Sequence, residues 1–211
     1  VISNTVTVAS DATLDATSHR LTITSLTSTN ATNAVRLFNV NPGVSFALVN
    51  LTLTAGRATN GGAIYNNRGF LSLESCVLSN NLAVGANGGK GGRGRDSDYQ
   101  VGAGGRSGGN GRAAFGGAIY NFRGTTLVSR CSFLTNAATA GAGGAGGDGG
   151  NAPAMGGNGG KGGTGAKAQG GAIYNYSGRL AIDTSTCMFN GATGGAGGRG
   201  GTNGSGRATS N

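Results

Sequence analysis

The chain has 211 residues, 46 of them glycine, with three cysteines, two prolines, no tryptophan, 11% charged residues and a formal net charge of +9. Ordering glycine costs more backbone entropy than ordering any other residue, which excludes a globule packed by side chains throughout. The longest apolar runs fall well short of the roughly 18 residues a membrane-spanning helix needs, so no membrane span is expected. Nine of the sixteen cations (Lys90, Arg93, Arg95, Arg106, Arg112, Lys161, Lys167, Arg199 and Arg207) stand singly in glycine-rich sequence. Without a helical face or interleaved aromatics they do not read as a nucleic-acid surface. Weak contact with anionic polysaccharide or a negatively charged cell surface fits them better.

Residues 1–60 alternate apolar residues with Thr, Asn and Ser, as in Thr5-Val6-Thr7-Val8, Arg20-Leu21-Thr22-Ile23-Thr24, 35–40 and 46–54. A period of two rich in β-branched residues predicts half-buried strands. No apolar spacing of three and four occurs, so helix content near zero is expected.

Gly61-Gly62-Ala63-Ile64-Tyr65-Asn66 then recurs at 116–121 and 170–175, starting 55 and 54 residues later. Each copy opens a unit that aligns without gaps, and in each unit a strand from Ala63, a turn closing on Gly69 and a second strand over 70–78, or their equivalents, are predicted. A repeat of ~23 residues with short strands and Gly/Asn corners is the size of one turn of a parallel β-helix, a solenoid that stacks like residues above one another. The register predicts columns of Ile64, Ile119 and Ile173 and of Tyr65, Tyr120 and Tyr174. Asn66, Asn121 and Asn175 fit an amide ladder, as in cross-β stacks. Asn81, Asn136 and Asn190 fit either a second ladder or corner residues that tolerate left-handed backbone. Cys76 and Cys131 share one offset, where the third unit has Ser185, with Cys187 two positions on. All three read as core thiols, with a stacked disulfide as the alternative.

Glycine-rich inserts occupy 84–115, 139–169 and 193–211, giving one β-helix domain over 1–211 with lead-in turns at 1–60 and repeats at 61–83, 116–138 and 170–192. The inserts have a period of three, as in Gly143-Gly144-Ala145-Gly146-Gly147-Asp148, which is the polyproline II period. Two glycines in three let such strands hydrogen-bond laterally as polyglycine II hairpins; a flexible linker is the alternative. Collagen would need abundant proline, and a calcium β-roll would need Asp at fixed places.

The repeated GGAI tetrapeptide, together with Phe133-Leu134-Thr135-Asn136 as an FxxN tetrapeptide, resembles the repeats of chlamydial polymorphic outer membrane proteins and related bacterial surface β-helix proteins. Leu78 and Cys187 replace the Phe in the other two units, while Asn81 and Asn190 keep the Asn. Thr13-Leu14-Asp15 and Arg36-Leu37-Phe38 also look like their lead-in turns. The resemblance implies a secreted right-handed parallel β-helix with adhesive or structural roles. The autotransporter members' membrane barrel is missing, so export by that route is not expected. The inserts also resemble the GGxGGx tracts of mycobacterial PE-PGRS surface proteins.

Chemistry-bearing residues are sparse, and no enzyme and no cofactor are expected. The carboxylates are Asp11, Asp15, Glu74, Asp96, Asp98, Asp148 and Asp183. Glu74 and Asp183 share a repeat offset two turns apart, about 9.6 Å by strand spacing, near the upper limit for an inverting pair. Ser129 lies between them, and an exposed face accounts for both acids. The cysteines lack a CxxC and only His19 could join them, so no zinc site is expected. Asp96-Ser97-Asp98 supplies too few oxygens for calcium. Asn30, Asn50 and Asn203 open N-x-S/T triplets. The absence of a leader pattern reads as a mature chain. The function expected is that of an extracellular or cell-surface structural protein stacking head-to-tail with itself into a fibre or sheath. An adhesin fragment binding surface polymers or glycans is the alternative, ahead of a polysaccharide-degrading enzyme or an ice-binding protein.

Overall fold

The structure, a computed structural model, describes residues 1–25 and 35–206; Asn30 and Arg207 lie outside them. The chain divides into two compact units. The first comprises Val1–Val84, Ala114–Thr139 and Ala168–Thr193, and the second Gly85–Ala113, Ala140–Lys167 and Gly194–Asn211.

The first unit is all-β, and no helix occurs among the described residues. Its strands fall into five successive tiers. The first holds β1 (Val6–Val8), β2 (Ala12–Asp15) and β3 (Leu21–Thr24), and the second β4 (Phe38–Val40), β5 (Ser45–Val49), β6 (Leu51–Thr54) and β7 (Arg57–Ala58). The third holds β8 (Ile64–Asn67), β9 (Phe70–Glu74), β10 (Val77–Ser79) and β11 (Leu82–Val84). The fourth holds β12 (Ala114–Phe115), β13 (Ile119–Phe122), β14 (Thr125–Ser129), β15 (Ser132–Leu134) and β16 (Ala137–Thr139). The fifth holds β17 (Ala168–Gln169), β18 (Ile173–Tyr176), β19 (Arg179–Asp183), β20 (Thr186–Met188) and β21 (Gly191–Thr193).

Every strand pairs parallel with its counterpart in the next tier, giving sheets ordered β1-β4-β8-β13-β18, β2-β5-β9-β14-β19, β3-β6-β10-β15-β20 and β7-β11-β16-β21. Register follows the sequence repeat: Ile64, Ile119 and Ile173 align, as do Leu78, Phe133 and Cys187. Alternation along each strand turns one set of side chains inward. Leu37, Val40, Phe46, Leu48, Leu53, Ile64, Leu71, Leu73, Leu78, Ile119 and Phe133 are fully or almost fully buried in one cluster, each worth about 1.5–3 kcal/mol on burial.

The spans predicted over 46–54 and 70–78 are each broken in two. Asn50 (φ 56°) separates β5 from β6, and Ser75 (φ 52°) separates β9 from β10. The same left-handed corner recurs at Arg130 and Thr184, and a second one at Ala55, Asn80, Thr135 and Phe189. Such a φ costs most non-glycine residues about 1–3 kcal/mol; Asn50 and Asn80 tolerate it, but Ala55, Ser75, Arg130, Thr135, Thr184 and Phe189 carry no such local signal for these bends. Parallel ladders impose them: the N–H of Ser75 donates to Ser129 O at 3.0 Å, and that of Asn80 to Leu134 O at 3.1 Å. Gly61, Gly116 and Gly170 (φ 61°, 65° and 69°) form another such column.

The second unit is built from extended segments joined by backbone hydrogen bonds of one repeating kind. Within an insert the two arms pair antiparallel, Gly109 N–H donating to Gly89 O and Gly163 N–H to Gly144 O, both at 2.8 Å. Between inserts, Gly88 N–H donates to Ala142 O and Gly108 N–H to Lys161 O, again at 2.8 Å. In segments 102–113 and 140–151 two of every three backbone N–H groups are used this way, and in 85–96, 156–167 and 194–206 one in three. Side-chain amides and carboxylates reach some of the rest: Ala142 N–H meets Asn87 Oδ1 and Thr164 N–H meets Asn110 Oδ1, each at 2.9 Å. The segments lie so close that a Cβ on Gly147 would stand 2.0 Å from Gly92 O.

Candidate functional site

Three sets of residues stand out in the first unit: two amide ladders, an outward aromatic face and the open edges of the sheets. Parallel in-register pairing places Asn66, Asn121 and Asn175 one above another. Asn66 Nδ2 donates to Asn121 Oδ1 at 2.9 Å and Asn121 Nδ2 to Asn175 Oδ1 at 2.7 Å. Each amide also ties its own corner, through Gly69 O, Gly124 O and Gly178 O. Asn81, Asn136 and Asn190 form a second ladder, with Nδ2 to Oδ1 distances of 3.0 and 2.9 Å. Their residues are not the left-handed corners; Asn80, Thr135 and Phe189, one position earlier, are. Asn66, Asn81, Asn121 and Asn136 are buried, and hydrogen bonding makes their burial tolerable.

On the opposite face of the same sheet, Tyr65, Tyr120 and Tyr174 stack with ring centroids 5.4 and 5.5 Å apart. Phe122 and Tyr176 stack at 5.5 Å, and Phe115 lies 4.7 Å from Tyr174. Burial pushes the Tyr120 phenol above its ordinary range, and the flanking tyrosines add to it. The guanidinium of Arg36 sits 5.1 Å over Tyr65 and donates to Asn60 O at 2.8 Å and Gly61 O at 3.1 Å. Arg68 and Arg123 flank the Phe122 ring at 5.7 and 5.3 Å. Sequence reasoning found the tyrosine column but missed Phe115 and the arginines, which lie outside the matching offsets or carry no periodic signal.

Cys76 and Cys131 are buried and Cys187 is exposed. Cys187 faces the position of Phe133, but its strand β20 pairs on one side only, so no described tier covers it; as a core thiol it is corrected. Cys76 N–H donates to Cys131 Sγ at 3.3 Å, and Cys131 N–H to Ser185 Oγ at 2.9 Å. The Cys76 thiol and burial together push Cys131 up.

The carboxylates are dispersed. Glu74 and Asp183 both align with Ser129 from opposite sides, and Glu74 is paired with Arg130. Asp96 binds Arg93 at 2.7 Å and accepts from Asn151 N–H at 2.7 Å; the latter bond, then Arg93, holds its carboxyl below the usual range. The backbone N–H of Thr202 and then its hydroxyl do the same for Asp148. Among the described residues, no three His, Cys, Asp or Glu side chains gather as a metal site, and no helix is long and apolar enough to cross a membrane.

The sheet edges are the remaining feature. The inward column Val6–Phe38–Ile64–Ile119–Ile173 begins 42% exposed at Val6, whereas Phe38, Ile64 and Ile119 are 4%, 0% and 0% exposed. The column Leu14–Leu48–Leu73–Val128–Ile182 ends 48% exposed at Ile182. Leu21 in β3 is 49% exposed as well. Among the described residues, core residues thus lie uncovered on both outermost tiers, beside strands whose backbone is paired on one side only. No protein-family model, curated protein or solved structure matches the chain.

Proposed function

We propose that the first unit is a right-handed parallel β-helix and that this chain is an extracellular structural protein, stacking head-to-tail with further copies into a fibre or sheath. In this reading the glycine-rich segments are polyglycine II hairpins that form a lateral layer along the assembly. The observation that carries it is the pair of uncovered edges. Val6 and Leu21 on one and Ile182 on the other continue the same inward columns, and an unpaired strand edge is a template for another chain. All ladders run parallel, so joining the two edges preserves strand polarity. Such a heterologous contact that does not close produces an open filament. The cell-surface placement rests on the GGAI and FxxN resemblance.

The test is electron microscopy and fibre diffraction of the purified chain. Filaments with an axial repeat of about 4.8 Å support the reading. In β19 the N–H of Arg179 donates to Gly124 O, so by the alternation of a parallel ladder the N–H of Ile182 points away from β14. Ile182→Pro removes that outward donor and should shorten or abolish filaments while leaving the monomer folded. Dispersed particles at all concentrations would overturn the assembly.

The aromatic and arginine face favours a second reading, an adhesin binding anionic glycans or surface polymers. Monomers that bind anionic polysaccharide, and lose it on Arg68→Ala with Arg123→Ala, would move the function there.

A further inference from the structure

In the second unit, segments 85–96 and 102–113 form a first layer, and 140–151 and 156–167 the next. Each later layer leans on the one before it. Gly144 N–H donates to Gly109 O and Gly147 N–H to Arg106 O, and Gly198 and Gly201 donate in the same way to Gly163 O and Gly160 O, all at 2.8 Å. The first-layer counterparts Gly89 and Gly92, flanked by Ala86 and Arg95, donate to nothing among the described residues. The repeat carries no insert at the preceding position, since only Thr59 and Asn60 stand between β7 and Gly61. The first layer thus presents a row of exposed N–H groups. They recur about 9 Å apart, from the ~3.1 Å rise per residue of a three-residue period.

Arginine replaces glycine on this face. A Cβ on Gly150 would stand 1.9 Å from Arg95 O, and one on Gly160 2.1 Å from Arg106 O, so these two second-layer positions face the first layer and admit glycine alone. Their counterparts are Arg95 and Arg106, whose side chains leave from the same side and therefore point outward. Arg112 stands likewise where the second layer has Ala166: the two N–H groups donate to the equivalent Ala86 O and Gly141 O. Arg106 lies along the row, its Cδ 3.8 Å from where a Cβ on Gly92 would be. No ion pair among the described residues engages Arg95, Arg106 or Arg112. Asp96 turns the other way, to Asn151 N–H of the second layer. Acceptors run beside the donors. Asn158 O and Lys161 O accept from Gly105 and Gly108 N–H, whereas the exposed counterparts Gly104 O and Ser107 O accept nothing among the described residues.

We infer that this face is a binding groove for an acidic polysaccharide. The ligand class follows from the lining. Carboxylate or sulfate groups accept from the N–H row and the guanidinium groups, the stronger charge-assisted kind of hydrogen bond, while sugar hydroxyls donate to Gly104 O and Ser107 O. A polysaccharide with one acidic group per disaccharide spaces its charges on the scale of the row. A further glycine-rich strand does not fit, because Arg95 and Arg106 stand where the stacked layers need glycine. A second copy presenting this face would bring arginine against arginine. Nucleic acid fits less well, since its phosphates recur every ~3.4 Å along a strand and the outward positions carry no aromatic ring on which bases could stack. The site lies within the second unit and rests on neither functional reading above.

The test is an amide-detected NMR titration of the full chain with size-defined hyaluronan and heparin oligosaccharides, the first carrying carboxylates only and the second sulfates as well. Saturable shifts at the Ala86, Gly89, Gly92 and Arg95 amides are expected, with hydrogen exchange there slowed at least tenfold. Binding of both assigns the groove to carboxylates, and of heparin alone to sulfates. Arg95→Gln with Arg106→Gln and Arg112→Gln should weaken binding at least tenfold. The Gly91 and Gly94 amides, bonded to Ala145 O and Asp148 O of the second layer at 2.8 and 2.7 Å, keep their exchange rates if that variant is folded. Lys161→Gln with Lys167→Gln and Arg199→Gln removes the same charge from later layers and should cost less than about threefold. Arg68→Ala with Arg123→Ala, in the first unit, should leave these shifts unchanged. Absence of shifts at millimolar oligosaccharide, or equal losses from the two triple variants, overturns the groove and leaves the arginines as a charged cap on an exposed edge. Single-stranded DNA or polyphosphate shifting the same amides as tightly as heparin overturns the polysaccharide assignment.

Discussion

Asn136→Ala tests whether the amide ladders hold the tiers together. Asn136 Oδ1 accepts from Asn81 N–H at 3.1 Å and from Asn81 Nδ2 at 3.0 Å, and its own Nδ2 donates to Leu78 O at 2.8 Å. Alanine leaves the Asn81 backbone N–H and one of the two N–H groups of Asn81 Nδ2 buried without partners, while the other keeps Leu53 O and the Leu78 carbonyl keeps its partner in the β10–β15 ladder. Two orphaned buried groups at about 1–3 kcal/mol each give a loss of about 2–6 kcal/mol, a large share of a typical domain's stability. Asn190→Ala removes the acceptor of Asn136 N–H and the donor to Phe133 O. Asn190 lies on the outermost tier and is half-buried, so water can replace the lost partners and the cost should be nearer ~1 kcal/mol. Urea unfolding followed by far-ultraviolet circular dichroism, with an unchanged slope, measures both. Variants within about 0.5 kcal/mol of each other, inside the usual scatter of surface substitutions, would refute the ladder as the source of the difference.

Two further outcomes follow from the same geometry. Gly147→Ala places a methyl group 2.0 Å from Gly92 O and should destabilise the second unit by about 1–3 kcal/mol or more, whereas Gly89→Ala meets nothing within 4 Å and should be neutral or stabilise by ~0.4–1 kcal/mol; hydrogen exchange of the glycine amides separates the two, and equal effects would mean the close packing is absent. A thiol reagent followed by peptide mass spectrometry should modify Cys187 first and reach Cys76 and Cys131 only on unfolding, since only Cys187 is exposed; early labelling of Cys76 would show that the core opens readily.

Much of the first unit was legible because parallel stacking aligns equal positions of successive turns. Spacings of 55 and 54 residues therefore name the columns of Ile64, Tyr65 and Asn66 without any structure. Cys187 marks the limit of that logic. Its offset places it above Phe133, but burial depends on whether a further tier lies over it, and no described tier does. The left-handed corners at Thr135, Thr184 and Phe189 were invisible for another reason. Their residue types disfavour that conformation, and hydrogen bonds from neighbouring tiers impose it.

By itself the sequence determined the all-β class, the register of the repeats and the three-residue period of the inserts, because each is written in residues close together or at fixed intervals. Only the tertiary structure decided which glycine N–H meets which carbonyl, that Asn203 Oδ1 accepts from Gly159 N–H, and that Phe115 and Arg36 join the tyrosine column. Backbone hydrogen bonding carries no residue-type signal, so partners among near-identical glycine triplets are settled only when the segments come together.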